Sequence, residues 1–416
     1  MEDPKTTLAA LSPEAAAGFR WIAEPPASTA IAALEAARSG AARFVGGCVR
    51  DGLIGVAAKD VDIATQLSPE DTLAALGKAG IRAEPTGVEH GTVTAVIDGV
   101  GIEITSLRAD VETDGRRAVV TFTDDWALDA IRRDFTMNAL YLTPDLRLYD
   151  PWGGARDLEN GRVRFIGDAD ARIREDYLRI LRFFRFSARF AKGPYDADGF
   201  AACAALSEGV ARLSRERIGQ ELTRILEGPN AYAAIREMVA AGVLKRVWPD
   251  DPDIEAFVAL MRVWPHAPAA IGLAALWPQA ALAKSGEGIV AALRLSNADG
   301  ARMSAAVDNA NAVNALPDAA AIRRFAYGVG VSGARDALRL AEAQGRISDA
   351  GKLETALDGW APPRLPIAGG DLVAAGVSAG PEVGIILRRI EARWVEEDFP
   401  DLARARTIMA DELARA

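Results

Sequence analysis

Residues 44–65, FVGGCVRDGLIGVAAKDVDIAT, constrain the fold most strongly, because a Gly-Gly turn and two closely spaced aspartates interrupt short apolar runs. The run ARFVGG predicts a strand, VRDGLIG predicts the start of a helix, and DVDIAT predicts a second strand. Alternate residues of a strand point to the same side, so Asp60 and Asp62 would project together while Val61 and Ile63 face a core. The stretch therefore indicates an α/β unit that displays two carboxylates.

The two carboxylates and the glycines before them suggest phosphate chemistry. Neighbouring carboxylates repel one another unless a cation lies between them, and Mg²⁺ favours carboxylate oxygens together with substrate phosphates. Asp60 and Asp62 are therefore candidate metal ligands for two-metal phosphoryl or nucleotidyl transfer. Gly46 and Gly47 would leave backbone N–H groups open to a phosphate at the helix start, within reach of Arg50. The structural alternative is a plain glycine turn beside a solvent-exposed aspartate pair.

The pattern of short elements continues towards residue 108. SPEDTLAALGKAG predicts a helix with Ser68 as its N-cap, and GTVTAVIDGVGIEITSLR predicts a β-hairpin around residues 98–101. Residues 109–125 have no clear period and are predicted to form a flexible loop. From about residue 169 the chain is mostly helical, and WAPPRLP at 360–366 is the strongest linker signal.

The composition is that of an ordinary globular protein. The chain has 416 residues, of which 50% are hydrophobic and 25% charged, which suffices for two or more cores. Its two cysteines, Cys48 and Cys203, lack CxxC spacing, so we expect no disulfide framework and a reducing cytoplasm. We expect neither a signal peptide nor a membrane span. Two histidines exclude a multi-histidine metal site.

The chain is acidic overall, but its charges are unevenly distributed along the sequence. A net charge of −10 argues against a general nucleic-acid binder, yet six arginines and only two acids lie between Arg172 and Arg189. In helical projection four of these arginines, Arg179, Arg182, Arg185 and Arg189, lie with Glu175 opposite an apolar stripe. The stripe consists of Tyr177, Ile180, Leu181, Phe184 and Ala188. A local basic face can meet phosphates on an acidic protein, and a solvated face with i,i+4 ion pairs is the structural alternative.

Three motifs in order, VGGCVRDGLIG…KDVDIAT, RRDFTMNAL and EDYLRILRFFRFSARF, resemble the class II tRNA nucleotidyltransferase and bacterial poly(A) polymerase family, within the polymerase-β-like nucleotidyltransferase superfamily. The resemblance covers roughly residues 41–190, and LPIAGGDLVAAGVSAGPEVGIIL near the end is also similar. It implies an α+β fold, with a small α/β nucleotidyltransferase head followed by an elongated all-helical neck, body and tail. The expected divisions are a helical extension (1–40), the catalytic head (41–150), the nucleotide-selecting neck (151–227), the body (228–360) and a tRNA-binding tail (361–416).

The resemblance also implies roles for residues of the head. A third carboxylate is expected on a neighbouring strand, and Glu103 is the natural candidate, although a charge on an open sheet face is the alternative. Arg132, Arg133 and Asp134 resemble the motif that holds the triphosphate and sugar of the incoming nucleotide; a surface salt-bridge cluster is the alternative. Arg133 is favoured over Arg132, because adjacent helical residues point about 100° apart and only one can fully face a cleft.

Further roles are implied for the arginine-rich helix. Asp176 and Arg179 resemble the pair that recognises the edge of the base by hydrogen bonds, in place of a template. A carboxylate accepts from an exocyclic amine and a guanidinium donates to a ring nitrogen or carbonyl, which suits cytosine and adenine. Arg182 and Arg185 would hold phosphates or support Arg179. The helix predicted at 214–226 is expected to support this one without a catalytic role.

The resemblance favours an enzyme that uses CTP, ATP and Mg²⁺ to add CCA to tRNA 3′ ends without a nucleic-acid template. A poly(A) polymerase of the same family is the second hypothesis, although GVEHGTVTAVIDG looks like the tRNA enzymes. A catalytically inactive RNA-binding relative is the third. Full CCA addition, C-only addition and A-only addition stay open, because the deciding region is expected within 109–125. His90 is expected to be structural, and no obligate protein partner is evident.

Overall fold

The computed structural model describes residues 8–87, 91–113, 118–278, 288–313, 316 and 318–415. The chain forms two compact units, Met1–Pro249 and Asp250–Ala416. His90 and part of the loop predicted at 109–125 lie outside the described residues.

A mixed sheet organises the first unit. The strands are β1 (Leu8–Ala10), β2 (Ala42–Val45), β3 (Asp62–Thr65), β4 (Arg82–Gly87), β5 (Thr92–Ile97), β6 (Val100–Ser106), β7 (Arg108–Thr113), β8 (Ala118–Phe122), β9 (Tyr141–Leu142) and β10 (Arg147–Tyr149). Among the described residues, eight of them form one sheet in the order β1-β10-β9-β2-β3-β6-β5-β4. Neighbours in this sheet are antiparallel except β3 and β6, whose parallel register places Asp62 opposite Glu103.

Helices cover both faces of this sheet. They are α1 (Pro13–Ala16), α2 (Ala27–Ala37), α3 (Gly47–Leu53), α4 (Pro69–Lys78) and α5 (Trp126–Ile131), with 3-10 turns at Ala17–Ala23 and Thr136–Asn138. Alternation along β2 sends Phe44 into the core under α2 and α4, and Val45 into the core that contains Trp126. The predicted N-cap is confirmed, because the Ser68 side chain accepts from the Asp71 N–H at 3.0 Å at the start of α4.

The helices expected within residues 1–40 are present as α1, the 3-10 turn that follows it and α2, but a strand precedes them and they pack on the head. Leu8–Ala10 form an edge strand that pairs with Arg147–Tyr149. The following turn packs closely on α3, where a Cβ added to Gly18 would lie 2.1 Å from the carbonyl oxygen of Gly52. The short strand was missed because three residues carry too little alternation to predict a strand.

Residues 109–125 also differ from the prediction. The hairpin predicted around 98–101 is present as β5 and β6, but the predicted flexible loop contains a second antiparallel hairpin, β7 with β8. Arg108 pairs with Phe122 in its register. Polar and charged residues dominate ADVETDGRR, so the apolar alternation that marks a half-buried strand is missing even though the backbones pair.

The rest of the first unit is helical. Its helices are α6 (Gly154–Glu159), α7 (Ala169–Glu175), α8 (Leu178–Phe190), α9 (Ala197–Ala205), α10 (Arg215–Leu226), α11 (Ala231–Ala240) and α12 (Leu244–Val247), with a 3-10 turn at Ser207–Arg212. Helix α8 packs against α10 and α11. Most of its predicted apolar stripe is buried, but Phe183 and Phe186 are buried as well, so α8 is covered on more than one side.

The described residues of the second unit form helices joined by turns and loops, with no strand. Its helices are α13 (Ile254–Val263), α14 (Ala269–Leu276), α15 (Ile289–Ala292), α16 (Asn297–Val313), α17 (Ala319–Val329), α18 (Val331–Ala343), α19 (Ala350–Glu354), α20 (Gly369–Ala374), α21 (Pro381–Glu396) and α22 (Leu402–Leu413), with a 3-10 turn at Thr355–Leu357. The last three helices share a core around Trp394, against which Tyr327 of α17 packs. The predicted α+β class, with an N-terminal head and a helical remainder, is confirmed. None of the helices in the described ranges combines the length and apolar character that a membrane crossing requires.

Candidate active site

A cleft of about 400 Å³ opens beside the Gly-Gly turn of the first unit. Its walls come from the residues around the start of α3, the first residue of β3, the segment after α5, and α8 with Asp176, which lies two residues before that helix. It is lined by Gly46, Gly47, Arg50, Asp62, Arg133, Asp134, Asn138, Asp176, Arg179, Arg182 and Phe186. Most of the residues predicted for a nucleotide site thus lie together, whereas Asp60, Glu103, Arg132 and Arg185 do not line this cleft.

The glycine turn lies between two guanidinium groups. Gly46 has a φ of 72°, which favours glycine, and a Cβ on it would lie 3.5 Å from Nη1 of Arg133. A Cβ on Gly47 would lie 3.8 Å from Nη2 of Arg50. The Gly46 N–H donates to the Leu140 carbonyl at 3.0 Å. This corrects the expectation that the Gly46 N–H is open to a phosphate: Gly46 contributes its conformation and the space beside two cations.

Arg50 is buried beneath this turn and bonded to two neighbouring side chains. It is 6% exposed, and its Nε donates to Asp51 at 2.8 Å while its Nη1 donates to Asn138 at 2.7 Å. The guanidinium also lies over the rings of Phe186 and Phe190, 5.3 and 4.6 Å from their centroids. Burial lowers its pKa, while Asp51 acts in the opposite direction. The arrangement fixes a positive charge on the floor of the cleft.

The three predicted carboxylates occupy different surroundings. Asp62 begins β3 and lines the cleft, with Glu103 opposite it on β6. Burial, and then the negative charge of Glu103, raise the pKa of Asp62 to about 6, although Arg133 acts against them. Asp60 lies in an exposed bend before β3, which corrects the expectation that both aspartates share one strand. The physical reason is that pairing with β6 begins only at Asp62.

This donor set fits a hard divalent cation. Among the described residues, no three or more His, Cys, Asp or Glu side chains gather closely enough to form a ready-made metal cage. Mg²⁺ usually takes one or two carboxylates and completes its oxygen shell with water and substrate phosphates. Asp62, whose ionised form is disfavoured by burial and by Glu103 and Asp60, is a carboxylate that a cation would stabilise.

A buried carboxylate holds Arg133 from behind the cleft. Asp129 is 1% exposed, and its Oδ2 accepts from Nη2 of Arg133 at 3.1 Å and from the Tyr141 hydroxyl at 2.7 Å. Its Oδ1 accepts from Nε of Arg132 at 2.7 Å. Burial alone would raise the pKa of Asp129, but Arg133 and Arg132 outweigh it and lower that pKa to about 2. Asp129 therefore stays ionised and orients Arg133.

A second ion pair joins the head segment to α8. The Asp134 Oδ2 accepts from Nε of Arg182 at 2.6 Å, and its Oδ1 accepts from the Asn138 amide at 2.9 Å. Burial raises the pKa of Asp134, yet Arg182 and Asn138 outweigh that effect, so the pKa lies below its usual value. Asp134 thus orients Arg182.

Asp176 and Arg179 lie together at the N-terminal end of α8. Asp176 precedes the helix, and its Oδ1 accepts from the Leu178 N–H at 3.0 Å. Arg179 donates through Nη1 to the Arg172 carbonyl and through Nη2 to the Arg132 carbonyl, at 2.7 and 3.1 Å. A further bond from its Nη1 goes to Glu175 at 2.5 Å. Three of the five N–H donors of a guanidinium are thus engaged in the protein, which leaves two for a ligand.

Two predicted nucleotide ligands have protein partners outside the cleft. Arg132 turns to Asp129, with Nη2 2.6 Å from Oδ1. Arg185 lies 2.7 Å from the buried carboxylate of Glu221 on α10. The prediction for Arg185 failed because a helical wheel separates charged from apolar residues but cannot show which neighbouring helix carries a buried counter-charge.

Sequence reasoning missed Asn138, Phe186 and Asp129. Asn138 lies inside the motif RRDFTMNAL, so its nearness to the arginines was a usable signal. Asp129 precedes Arg132 and Arg133 by three and four residues, the spacing at which helical side chains meet. Phe186 carried no signal distinct from the other phenylalanines of α8.

Comparison with known protein families identifies two segments. The family described as the poly A polymerase head domain matches residues 42–164. A second family, described as a probable RNA and SrmB-binding site of polymerase A, matches residues 196–254. The first segment contains every strand of the large sheet except β1, together with the residues after α5, and the second contains α10.

Curated relatives and solved structures are similar over most of the chain. CCA tRNA nucleotidyltransferase 1, mitochondrial, from Danio rerio is 35% identical over 372 residues, which are 86% of this chain and 84% of the relative. The protein of the same name from Homo sapiens is 34% identical over 370 residues, 86% and 83% of the two chains. The crystal structure of the Bacillus stearothermophilus CCA-adding enzyme in complex with CTP has a TM-score of 0.73 and 26% identity, covering 94% of this chain and 99% of the other.

Proposed function

Because this chain belongs to the family of CCA tRNA nucleotidyltransferases and poly(A) polymerases, we propose that its cleft selects CTP and ATP and transfers their nucleoside monophosphate groups to the 3′ end of tRNA, with release of pyrophosphate. The chain is a nucleotidyltransferase that adds CCA without a nucleic-acid template. The main support for placing the active site here is that one cleft is lined by Asp62, Arg133, Asp176 and Arg179.

The triphosphate lies in the basic half of this cleft. Arg133 faces the glycine turn with Nη1, and Arg50 does so with Nη2, so both guanidinium groups reach phosphate oxygens. The glycines keep the turn free of side chains, and this allows the phosphates to approach the two cations closely. Arg182, held by Asp134, completes the positive wall. Arg132 and Arg185 support Arg133 and α8 from outside the cleft.

The base lies against Asp176 and Arg179. On the Watson–Crick edge, cytosine and adenine each present an exocyclic amine next to a ring-nitrogen acceptor, whereas uracil and guanine present a ring N–H there. A free lone pair of Asp176 accepts from the amine, and the remaining donors of Arg179 reach the acceptor. A wrong base would leave one of these charges without its partner, which costs on the order of 1–3 kcal/mol.

Asp62 and Asp60 would hold Mg²⁺, with Glu103 beside them. The ion supplies charge neutralisation at the phosphates and a lower pKa for the tRNA 3′-hydroxyl. The 3′-oxygen loses its proton to water and attacks the α-phosphorus in line, and the bond between the α-phosphorus and pyrophosphate breaks. Arg133, Arg50 and Arg182 hold the negative charge that collects on the leaving group. No covalent bond to the chain is required.

We also propose that residues 361–416 form a tail that binds tRNA, and that the protein works in a reducing cytoplasm. Both cysteines of the chain are buried and free, which suits a reducing compartment. A poly(A) polymerase is the second candidate, because the family that matches residues 42–164 is described as the poly A polymerase head domain.

One assay separates these functions. The protein is incubated with tRNA that lacks its 3′ CCA, with labelled CTP or ATP alone and with both, and products are sized. CCA addition predicts two cytidines from CTP alone and one further adenosine when ATP is added. Long products from ATP alone on any RNA would indicate a poly(A) polymerase, and no product would indicate an inactive relative.

A further inference from the structure

Arg217 of α10 meets the base-reading carboxylate of the cleft. Its Nη2 donates to Oδ2 of Asp176 at 2.7 Å. The two side chains are 46% and 35% exposed, so the pair lies at the mouth of the cleft rather than in the core. Arg217 itself does not line the cleft. The sequence predicts only a supporting role for this helix.

The packing of α10 on α8 fixes where Arg217 lies. Ile218, Leu222 and Ile225 of α10 are fully buried. One helical turn after Arg217, the Glu221 carboxylate is 3% exposed and lies 2.7 Å from Nε of Arg185 on α8. A one-residue slip of α10 would break this buried pair, so the register that holds Glu221 also holds Arg217 against Asp176.

The hydrogen bonds of Asp176 define what it offers to a base. Its Oδ1 accepts from the Leu178 N–H and its Oδ2 accepts from Arg217. Each carboxylate oxygen has two lone pairs, so one on each oxygen is left. The Leu178 bond alone would leave the carboxylate free to rotate about its last torsion, which is broad for aspartate. The bond from Arg217 fixes the plane of the carboxylate and the direction of its free lone pairs.

We propose that Arg217 is a specificity-determining positioning residue, which sets base selection by holding the Asp176 carboxylate. This inference rests on the proposed function, in which Asp176 reads the exocyclic amine of cytosine and adenine. Arg217 acts through Asp176 and does not touch the nucleotide. A freed carboxylate still carries charge but no longer presents its lone pair at one position, so wrong bases are rejected less well.

The test is single-nucleotide incorporation into tRNA lacking its CCA, with kcat/KM measured for all four triphosphates. Arg217→Ala lowers the preference for CTP over UTP, and for ATP over GTP, about tenfold. Arg217→Lys restores part of the preference, because an ammonium supplies one donor without the guanidinium fork. Arg224→Ala is the matched control: this arginine lies on the same helix, is 58% exposed and contacts Glu221 instead. It leaves the preference unchanged.

A double variant separates positioning from RNA binding. If Arg217 acts through Asp176, the selectivity of Arg217→Ala combined with Asp176→Ala equals that of Asp176→Ala alone. The inference would be overturned if the losses of nucleotide selectivity in the two single variants added up in the double variant. It would also be overturned if Arg217→Ala kept the wild-type nucleotide preference and only raised the KM for tRNA. A wild-type protein without preference for CTP and ATP would overturn the proposed function itself. Wild-type preference with no effect of Arg217→Ala would overturn this inference alone.

Discussion

Oδ2 of Asp129 lies 3.1 Å from Nη2 of Arg133, on the side of the arginine that faces away from the glycine turn. The same oxygen accepts from the Tyr141 hydroxyl at 2.7 Å. Because Nε and Nη2 of Arg133 both donate to Asp129, its Nη1 is directed towards Gly46 and the cleft. A buried acid that does not line the cleft thus sets the direction of an arginine that does.

Asp129→Asn should raise the KM for CTP and ATP by about tenfold, because an amide cannot accept from both arginines and Tyr141 as the carboxylate does. Tyr141→Phe removes one of these bonds and should have a smaller effect in the same direction. Steady-state kinetics on tRNA lacking CCA provide the measurement. The control is Asp124→Asn, whose side chain is 72% exposed. An unchanged nucleotide KM in folded Asp129→Asn would show that Arg133 needs no anchor.

Asp62→Ala and Asp60→Ala should each abolish nucleotide addition and leave tRNA binding nearly intact. The reason is that the carboxylates would hold the cation, whereas the arginines and the helical remainder would hold RNA. Addition rates and equilibrium tRNA binding of the same preparations are to be compared. Equal loss of both in a folded variant would contradict this division of labour.

Asp62→Asn should stabilise the metal-free protein at pH 7.5. The native pKa of Asp62 is raised from 3.8 to about 6, chiefly by burial, so the folded state binds the proton more tightly than the unfolded chain between these values. Stability therefore falls as the pH rises through this window, and the ionised group costs about 3 kcal/mol above it. The shift of Tm between wild type and variant in EDTA should be several degrees at pH 7.5 and smaller at pH 5. A lower Tm for the variant at pH 7.5 would contradict this.

Two of the candidate site residues, Asp62 and Arg133, line one cleft. Asp62 was a candidate because DVDIAT predicts a strand, whereas Arg133 was a candidate because its motif resembles that of the nucleotidyltransferase family. Asp60 shows the limit, since i,i+2 spacing gives one face only if both residues lie in the strand. Pairing with β6 starts at Asp62, and partner strands are not encoded in the spacing.

Residues joined across long separations could not be placed by pattern. Arg185 forms an ion pair with Glu221, and Arg182 forms one with Asp134. Both pairs depend on the tertiary packing of segments that lie far apart in the chain. The β7–β8 hairpin was missed for a related reason. Its backbone hydrogen bonds define the strands, while its polar sequence lacks the alternation on which prediction depends.

Arg388→Gln combined with Arg406→Gln should raise the KM for tRNA and leave that for ATP unchanged. Both arginines are exposed, on α21 and α22 respectively, in the tail proposed to contact tRNA. Each lost phosphate contact should also reduce the slope of log affinity against log salt by about one. Arg404→Gln is the control, because that arginine is already paired with Glu397 at 2.7 Å. A matching rise in the ATP KM would indicate that the tail supports the head instead.

Deleting the tail is a less specific test of the same prediction. The chain beyond residue 360 supplies Trp394 and Phe399, whose rings pack on Tyr327. A truncated protein would expose this aromatic cluster and lose stability for reasons unrelated to tRNA. The charge substitutions leave that core intact.

The most direct test of the account is base selection by Arg179→Ala, measured as single-nucleotide incorporation with all four triphosphates. Arg179 has two donors left for a ligand, so its loss should remove the partner of the base acceptor while Asp60 and Asp62 still support transfer. The account predicts that incorporation of UTP or GTP rises relative to CTP and ATP by about tenfold or more. An unchanged preference for CTP and ATP, at a reduced rate, would contradict it and leave the arginines of α8 as phosphate ligands only.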